Sequence, residues 1–312
     1  DSWTPQAEEA LSHLGWQQFT DEELGMLPTF LTIGGDGATY DIGFGALSRV
    51  LSSGTPIKAM VLNTGSYSNT GGQASTASFT AQDSDLARSG AVGRGKTEAR
   101  KELGLIAALH PDVYVVQTAA SFQAHFLKNA VEFLEYTDGP ALMDVYTPCQ
   151  GEQGIADEQA ANRGRLAVRS RMSPLFVHDP RRGASLPERL SLAGNPDLDA
   201  PWVTQRLDHV ADDGSRQVLH VPLTPADFAL GEARFRSQFR PLRDDEDAAA
   251  TPIHAYVELG PEDRAGRVPF VWSTDADLRL VRTACAPPIV ALVEERQRNW
   301  QQLRFLAGRP DA

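Results

Sequence analysis

The sequence predicts an α/β fold, a doubly wound and mostly parallel sheet followed by a C-terminal α+β extension. Three observations carry that prediction. From Leu31 to Tyr146 short apolar runs alternate with segments of helical period, the pattern of strands joined by crossover helices. One run, Ile57–Leu62, holds Ala, Met, Val and Leu without polar alternation, as a strand buried on both faces does. After Pro180 the texture changes: RRGASLPERLSLAGNPDLDAPW is linker-like, and the chain beyond it has the signals of a hairpin and a long helix.

Each element has its own warrant. Leu31–Gly35 is an apolar run entering a glycine turn. Leu47, Val50 and Leu51 lie on one face of a helix expected over Asp41–Ser53, which Gly54 and Pro56 terminate. With Ile57–Leu62 these form a βαβ unit. A helix over Glu98–His110, a strand over Val113–Gln117, a helix over Phe122–Tyr136 and a strand over Ala141–Tyr146 continue the alternation. Gly65 to Gly95 is rich in Gly, Ser, Thr and Asp without period and is expected to be a long functional loop. Asp157–Met172 is a further helix, and a boundary near Arg182 divides residues 1–182 from 183–312. In the second part PLRDDEDAAA is acidic and expected to be solvated. Val268–Ser273 and Leu278–Ala284 pair around Thr274–Asp277, and Pro287–Leu306 forms a closing helix that docks through Val293, Trp300 and Leu303.

Composition narrows the function classes. The 312 residues are 41% hydrophobic, enough for one large core or two modest ones. No apolar run approaches the roughly 20 residues that span a bilayer, and the N-terminus lacks a signal-peptide pattern, which makes the cytoplasm the default location. A net charge of -12 disfavours nucleic acid as a partner. Cys149 and Cys285 are far apart and form neither a disulfide framework nor a CxxC knuckle. The seven histidines show no HExxH pairing and no GxSxG occurs, so neither a metal hydrolase nor a serine hydrolase has support. The chain begins at Asp1 without a methionine, which points to processing or to a longer polypeptide.

The richest stretch is GGDGATYDIGFG, with NTGSYSNTGGQ after the next strand. Asp36 falls at the carboxyl end of the first predicted strand, Asn63 and Thr64 at that of the second. In a right-handed βαβ unit both ends open on one edge of the sheet, with neighbouring strands about 4.8 Å apart. An oxygen from each reaches one small hard cation, Mg²⁺ by preference, which completes its octahedron with phosphate oxygens. Asp36 alone would repel a diphosphate; through a cation it holds one, while the helix starting near Asp41 offers its amides. A dinucleotide fingerprint starting at Gly35 fails, because Tyr40 stands where the third glycine belongs. GAVGRGKT at Gly90–Thr97 matches a P-loop literally, but the polar AQDSDLARS before it is no buried strand. Arg94, Lys96 and Arg100 suit a solvated face of a mobile loop or a contact for anionic coenzyme A. Tyr40, Tyr67 and Phe79 are read as packing.

GDGATYDIGFGALSRVLSSG followed by YSNTGGQ closely resembles the thiamine-diphosphate-binding domain of the pyruvate:ferredoxin (flavodoxin) oxidoreductase family, a branch of the 2-oxoacid:acceptor oxidoreductases. The resemblance covers Phe30 to Pro180 and, more loosely, the tail. It implies thiamine diphosphate and Mg²⁺, with Asp36, Thr64 and the backbone carbonyl of Ser66 as metal ligands. The cofactor-binding set it implies is Gly35, Asp36, Gly37, Asp41, Ile42, Asn63, Thr64, Tyr67, Ser68 and Asn69, with Asn69 as the catalytic residue facing thiazolium and substrate. At NTGS the chain departs from the family, which more often has an aspartate and a glutamate there; Asn63 removes a charge. Cys149, in YTPCQGEQG, looks like the last ligand of a [4Fe-4S] cluster. A cluster needs about four thiolates, and the three that lie upstream of GDG in the family are absent here, so the cluster would be shared with a segment not in this chain.

The implied reaction is oxidative decarboxylation of a 2-oxoacid (pyruvate-type) to an acyl-coenzyme A, with electrons leaving to ferredoxin or flavodoxin. The implied partners are a pyrimidine-binding domain or subunit and a homodimer or larger assembly. Two other classes stay open from the residues. A non-redox thiamine decarboxylase or carboligase would keep Asp36 and Asn69 without a use for Cys149. An assembly domain with a degenerate pocket would bind no thiamine diphosphate even with Mg²⁺.

Overall fold

The computed structural model describes residues 29–84 and 95–309, together with Thr4, residues 18–20, 22–23 and Met26. Its centre is a six-stranded sheet of β1 (Leu31–Gly35), β2 (Lys58–Asn63), β3 (Tyr114–Ala119), β4 (Ala141–Tyr146), β5 (Phe176–His178) and β6 (Leu190–Ser191), in the order β1-β2-β4-β3-β5-β6. The first four of that order are parallel; β5 and β6 add an antiparallel edge. The expected doubly wound, mostly parallel sheet is therefore present, and all four parallel strands end on one edge.

Helix α1 (Phe44–Leu51) packs Leu47 and Leu51 into the core, and the expected start at Asp41 needs correction. Gly37–Ile42 is instead wound as a π-helix, with the Gly43 N–H donating to the Ala38 carbonyl five residues back at 2.7 Å. A Cβ on Gly43 would stand 2.7 Å from that oxygen, so only glycine accepts the bulge. Strand β2 is not buried throughout: Leu62 is 44% exposed.

The helix expected over Glu98–His110 shrinks to α2 (Leu103–Ala108). Tertiary bonds claim the residues before it. The Lys96 amide donates to the Gln82 carbonyl, the Lys101 amide to the Thr76 carbonyl, and the Arg100 amide to Glu295 Oε1. Helix α3 (Gln123–Glu135) covers one face of the sheet, α4 (Gln150–Gln153) is a single turn after β4, and α5 (Ala160–Arg169) follows a 3-10 turn at Asp157–Gln159.

The region read as a linker is ordered by its own polar groups. Ser185 and Glu188 form a capping box on a short helical turn, and the Asn195 amide bonds both backbone polar groups of Leu175. Beyond it β7 (Val203–Val210) and β8 (Arg216–Leu223) form a hairpin, and α6 (Pro225–Leu230) packs below. β9 (Phe239–Pro241), β10 (Ala250–Pro252), β11 (Val268–Thr274) and β12 (Leu280–Cys285) make a four-stranded sheet in the order β10-β11-β12-β9. Within the acidic stretch Glu246 is buried and paired with Arg240 and Arg243.

Helix α7 (Pro287–Leu306) closes the fold against its own chain. Ile289, Leu292 and Val293 share a core with Phe79, Tyr146, Ala167 and Phe228, while Trp300 and Leu303 share another with Val61, Leu103 and Val115. Arg171 lies over the Trp300 ring at 4.0 Å, and Trp300 Nε1 donates to the Ala200 carbonyl. The hydrophobic cores thus run across the expected boundary at Arg182, as does the main sheet through β6. Among the described residues no helix is long and apolar enough to cross a membrane.

Candidate cofactor site

The parallel register that sets Gly35 beside Leu62 brings Asp36, just past β1, to the end of β2. Asp36 is 1% exposed. Its Oδ1 accepts from the Thr64 amide and from the Thr64 hydroxyl, each at 3.0 Å, and its Oδ2 accepts from Ser75 Oγ at 3.2 Å. Burial pushes this carboxyl above the usual carboxylate range, against the bonds from Thr64 and Ser75.

Thr64 Oγ1 is the centre of an oxygen cluster. Besides Asp36 it lies 3.1 Å from the Ser66 carbonyl and 2.7 Å from Ser68 Oγ. A hydroxyl has one proton to give. With Asp36 ionised, its Oδ1 and the Ser66 carbonyl both only accept, so one of these contacts has no proton in it.

Below the cluster lies a buried polar network. Asn63 donates through Nδ2 to Asp144 Oδ1 at 3.0 Å and to the Tyr40 hydroxyl at 2.9 Å, and its Oδ1 accepts from the Gly65 amide at 3.1 Å. The Tyr40 hydroxyl donates to Asp144 and accepts from Arg100 Nη2. Burial raises the Asp144 carboxyl, and Arg100, Tyr40 and Asn63 oppose the rise. Asn63 is thereby committed at both ends to the protein and supports the loop rather than facing a ligand.

The loop after β2 is shaped by close approaches. A Cβ on Gly37 would stand 2.3 Å from Tyr67 Cδ1, so Gly37 makes room for that ring; nothing lies within 4 Å of a Cβ on Gly35. Asp41 accepts from the Thr76 hydroxyl and amide and ties the π-helix to the far side of the loop. Ile42 is 90% exposed. Asn69 is exposed in the 3-10 turn Ser68–Thr70, ahead of Gly71 and Gly72 with φ of +113° and +81°. A cleft of about 780 Å³ opens beside the loop, lined by Asp41, Tyr67, Gln73, Ser75, Lys96 and Glu98.

Lys96 and Arg100 are not a solvated face. Lys96 Nζ donates to the Ser78 carbonyl at 2.8 Å, and Arg100 is buried over the Phe79 ring. Arg94 and the rest of 90–94 lie outside the described residues.

Cys149, half-buried, precedes α4. That turn is part of the site: Gln153 Nε2 donates to the Thr64 carbonyl at 3.1 Å, and a Cβ on Gly72 would meet Glu152 Oε2 at 2.1 Å. Among the described residues no three His, Cys, Asp or Glu groups cluster to hold a metal. Cys285 lies in the core, where burial pushes its thiol up.

Sequence reasoning missed Ser75, Asp144, Gln153 and Arg234 as parts of the site. Asp144 had a signal, a lone carboxylate in the apolar strand ALMDVY. Arg234, whose Nη1 donates to the Thr64 carbonyl at 3.0 Å, had none, being 170 residues away.

The family described as "Thiamine pyrophosphate enzyme, C-terminal TPP binding domain" matches residues 26–145. The "Probable pyruvate-flavodoxin oxidoreductase" of Escherichia coli (strain K12) is 38% identical over 176 residues, 55% of this chain and 14% of that protein. The "Pyruvate:ferredoxin oxidoreductase" of Moorella thermoacetica is 39% identical over 153 residues, 48% of this chain and 12% of that protein. The "Pyruvate synthase subunit PorB" of Thermotoga maritima is 31% identical over 147 residues, 47% of this chain and 45% of that protein. The chain thus spans less than half the length of each of these relatives. Over residues 26–145 it matches the thiamine pyrophosphate enzyme C-terminal TPP binding domain, and about half of the chain is similar to pyruvate:ferredoxin and pyruvate-flavodoxin oxidoreductases.

Proposed function

We propose that this chain is the cofactor-binding part of a 2-oxoacid:acceptor oxidoreductase, in which Asp36 Oδ1, Thr64 Oγ1 and the Ser66 carbonyl hold Mg²⁺ and, through it, the diphosphate of thiamine diphosphate. One observation carries the reading. The Thr64 hydroxyl lies 3.0 Å from a carboxylate oxygen and 3.1 Å from a carbonyl oxygen; one proton serves only one of them, and a cation serves both. Neighbouring ligands of a Mg²⁺ octahedron with bonds of about 2.1 Å are about 3.0 Å apart, which is the spacing of Thr64 Oγ1 from each of the other two oxygens.

The bound cofactor supplies the carbanion stabilisation that decarboxylation of a 2-oxoacid requires. Around it Tyr67 and Asp41 shape the cleft, and Asn69 faces the thiazolium and the substrate. Cys149 would give one thiolate to a [4Fe-4S] cluster whose other ligands belong to a segment not in this chain; it directly precedes α4, which is bonded to Thr64 through Gln153. The overall reaction joins a 2-oxoacid and coenzyme A into an acyl-coenzyme A and carbon dioxide, with the electron pair leaving one at a time to ferredoxin or flavodoxin. Residues 1–182 carry the cofactor, and 183–312 form the extension that reaches the site through Arg234. That PorB is named a subunit supports an arrangement in which a pyrimidine-binding domain or subunit completes the site within a homodimer or larger assembly.

Calorimetric titration of the full-length protein, in its assembly, with thiamine diphosphate tests the reading. Saturable binding that needs Mg²⁺ is expected. Absence of binding with Mg²⁺ present would leave a pure assembly domain, and binding indifferent to chelation of the metal would remove the cation clamp.

A further inference from the structure

The oxygen cluster rests on a support that comes from the far end of the chain. The peptide plane between Thr64 and Gly65 is gripped on both sides. Its N–H donates to Asn63 Oδ1 at 3.1 Å, and its carbonyl accepts from Arg234 Nη1 at 3.0 Å and Gln153 Nε2 at 3.1 Å. This plane joins Thr64, whose amide and hydroxyl meet Asp36, to the segment that presents the Ser66 carbonyl. Rotating it moves the two oxygens relative to one another.

Arg234, in the 3-10 turn Ala233–Gln238, is itself held firmly. It is 5% exposed, with the Phe79 and Phe235 rings at 5.6 Å and 5.5 Å from its guanidinium. Its Nε donates to Glu232 Oε2 at 2.7 Å, and Glu232 Oε1 lies 3.4 Å from Arg163 Nη2. Burial opposes the charge on Arg234, but Glu232, Tyr146 and Asp36 together hold it in the charged form. Gly65 has φ +73°, and a Cβ there would stand 3.1 Å from Arg234 Nη1, so the loop is built to let the guanidinium come this close. A buried planar fork that bonds a carboxylate with one nitrogen and a backbone carbonyl with another is a fixed ruler between the two.

We propose that Arg234 is a positioning residue for the cation loop: locked by Glu232, it fixes the Thr64–Gly65 peptide so that Thr64 Oγ1 and the Ser66 carbonyl stay at ligand spacing. The proposal rests on the reading of Asp36, Thr64 and Ser66 as cation ligands, and its test separates the two. The probe is Mn²⁺ titrated into the full-length assembly with thiamine diphosphate, followed by electron paramagnetic resonance of the bound ion, with melting temperatures in parallel. Arg234→Met is expected to weaken Mn²⁺ binding about tenfold or more, as loss of supporting bonds around metal ligands does, and to change the spectrum of the bound ion. Arg234→Lys, which keeps a charge and a donor, is expected to melt near the wild type and to recover part of the affinity. Should Arg234→Met not accumulate in folded form, Arg234→Lys and Glu232→Gln decide: binding weakened with an altered spectrum supports the proposal. Binding within about twofold of wild type with an unchanged spectrum in these variants overturns it. A wild type that takes up no Mn²⁺ with the cofactor, or an Asp36→Ala variant that binds as wild type does, removes the cation site itself and the proposal with it.

Discussion

The hydroxyl of Thr64 and the carboxylate of Asp36 meet at 3.0 Å across the ends of two adjacent parallel strands. Each residue is brought there by its own strand. The pair is therefore a product of the βαβ topology, and the chemistry proposed for the site depends on it.

Asp36→Ala removes the carboxylate that touches Thr64. Thiamine diphosphate binding in the presence of Mg²⁺ is expected to weaken at least about tenfold, a loss of roughly 2–4 kcal/mol by analogy with a broken buried charge pair. Calorimetry on both proteins in full assembly measures it; equal affinities would sink the clamp.

Gly37→Ala tests the shape of the pocket. The new Cβ would lie 2.3 Å from Tyr67 Cδ1, so the ring must leave its place. The expected outcome is a protein that still folds, because Tyr67 is only half-buried, but that binds the cofactor more weakly. Unchanged binding together with an unmoved Tyr67 in a crystal structure of the variant would contradict the account.

His125 predicts an acid sensitivity. Burial lowers its pKa from the usual 6.5 to about 4, so the folded protein holds it neutral where the unfolded chain protonates it. Its contribution is complete above pH 6.5 and is lost as the pH falls toward 4, because unfolding then takes up a proton. Urea midpoints at neutral and acid pH, for wild type and His125→Asn, measure the effect. The variant should lose less stability on acidification, and equal losses would exclude the assignment.

Cys149→Ala separates the redox enzyme from a non-redox thiamine enzyme. In the complete protein prepared without oxygen, the variant is expected to lose the [4Fe-4S] cluster nearest the cofactor and nearly all acceptor reduction. Thiamine diphosphate should still bind through Asp36. Full iron content and an undiminished rate of acceptor reduction would make Cys149 a packing residue.

Sequence alone determined the parts of this protein that are local. The strand Ala141–Tyr146 is as expected because six residues with apolar side chains at nearly every position have no other stable use in a parallel sheet. The meeting of Asp36 with Thr64 followed from two strand ends and a short crossover, which leave one handedness. The π-bulge before α1 was hidden, because only the contact of Gly43 with the Ala38 carbonyl shows why the turn widens. Glu98–Lys101 has the composition of a helix start but gives backbone amides to Thr76 and Glu295 and side chains to Tyr40, partners that no window of sequence contains. Tertiary structure alone decided that Arg234 and Gln153 meet on the Thr64 carbonyl, and that α7 fills cores on both sides of the expected boundary. The physical reason is one of range: propensity, pattern and capping act over a few residues, whereas a buried guanidinium takes its place from whichever carbonyl and carboxylate the completed fold leaves beside it.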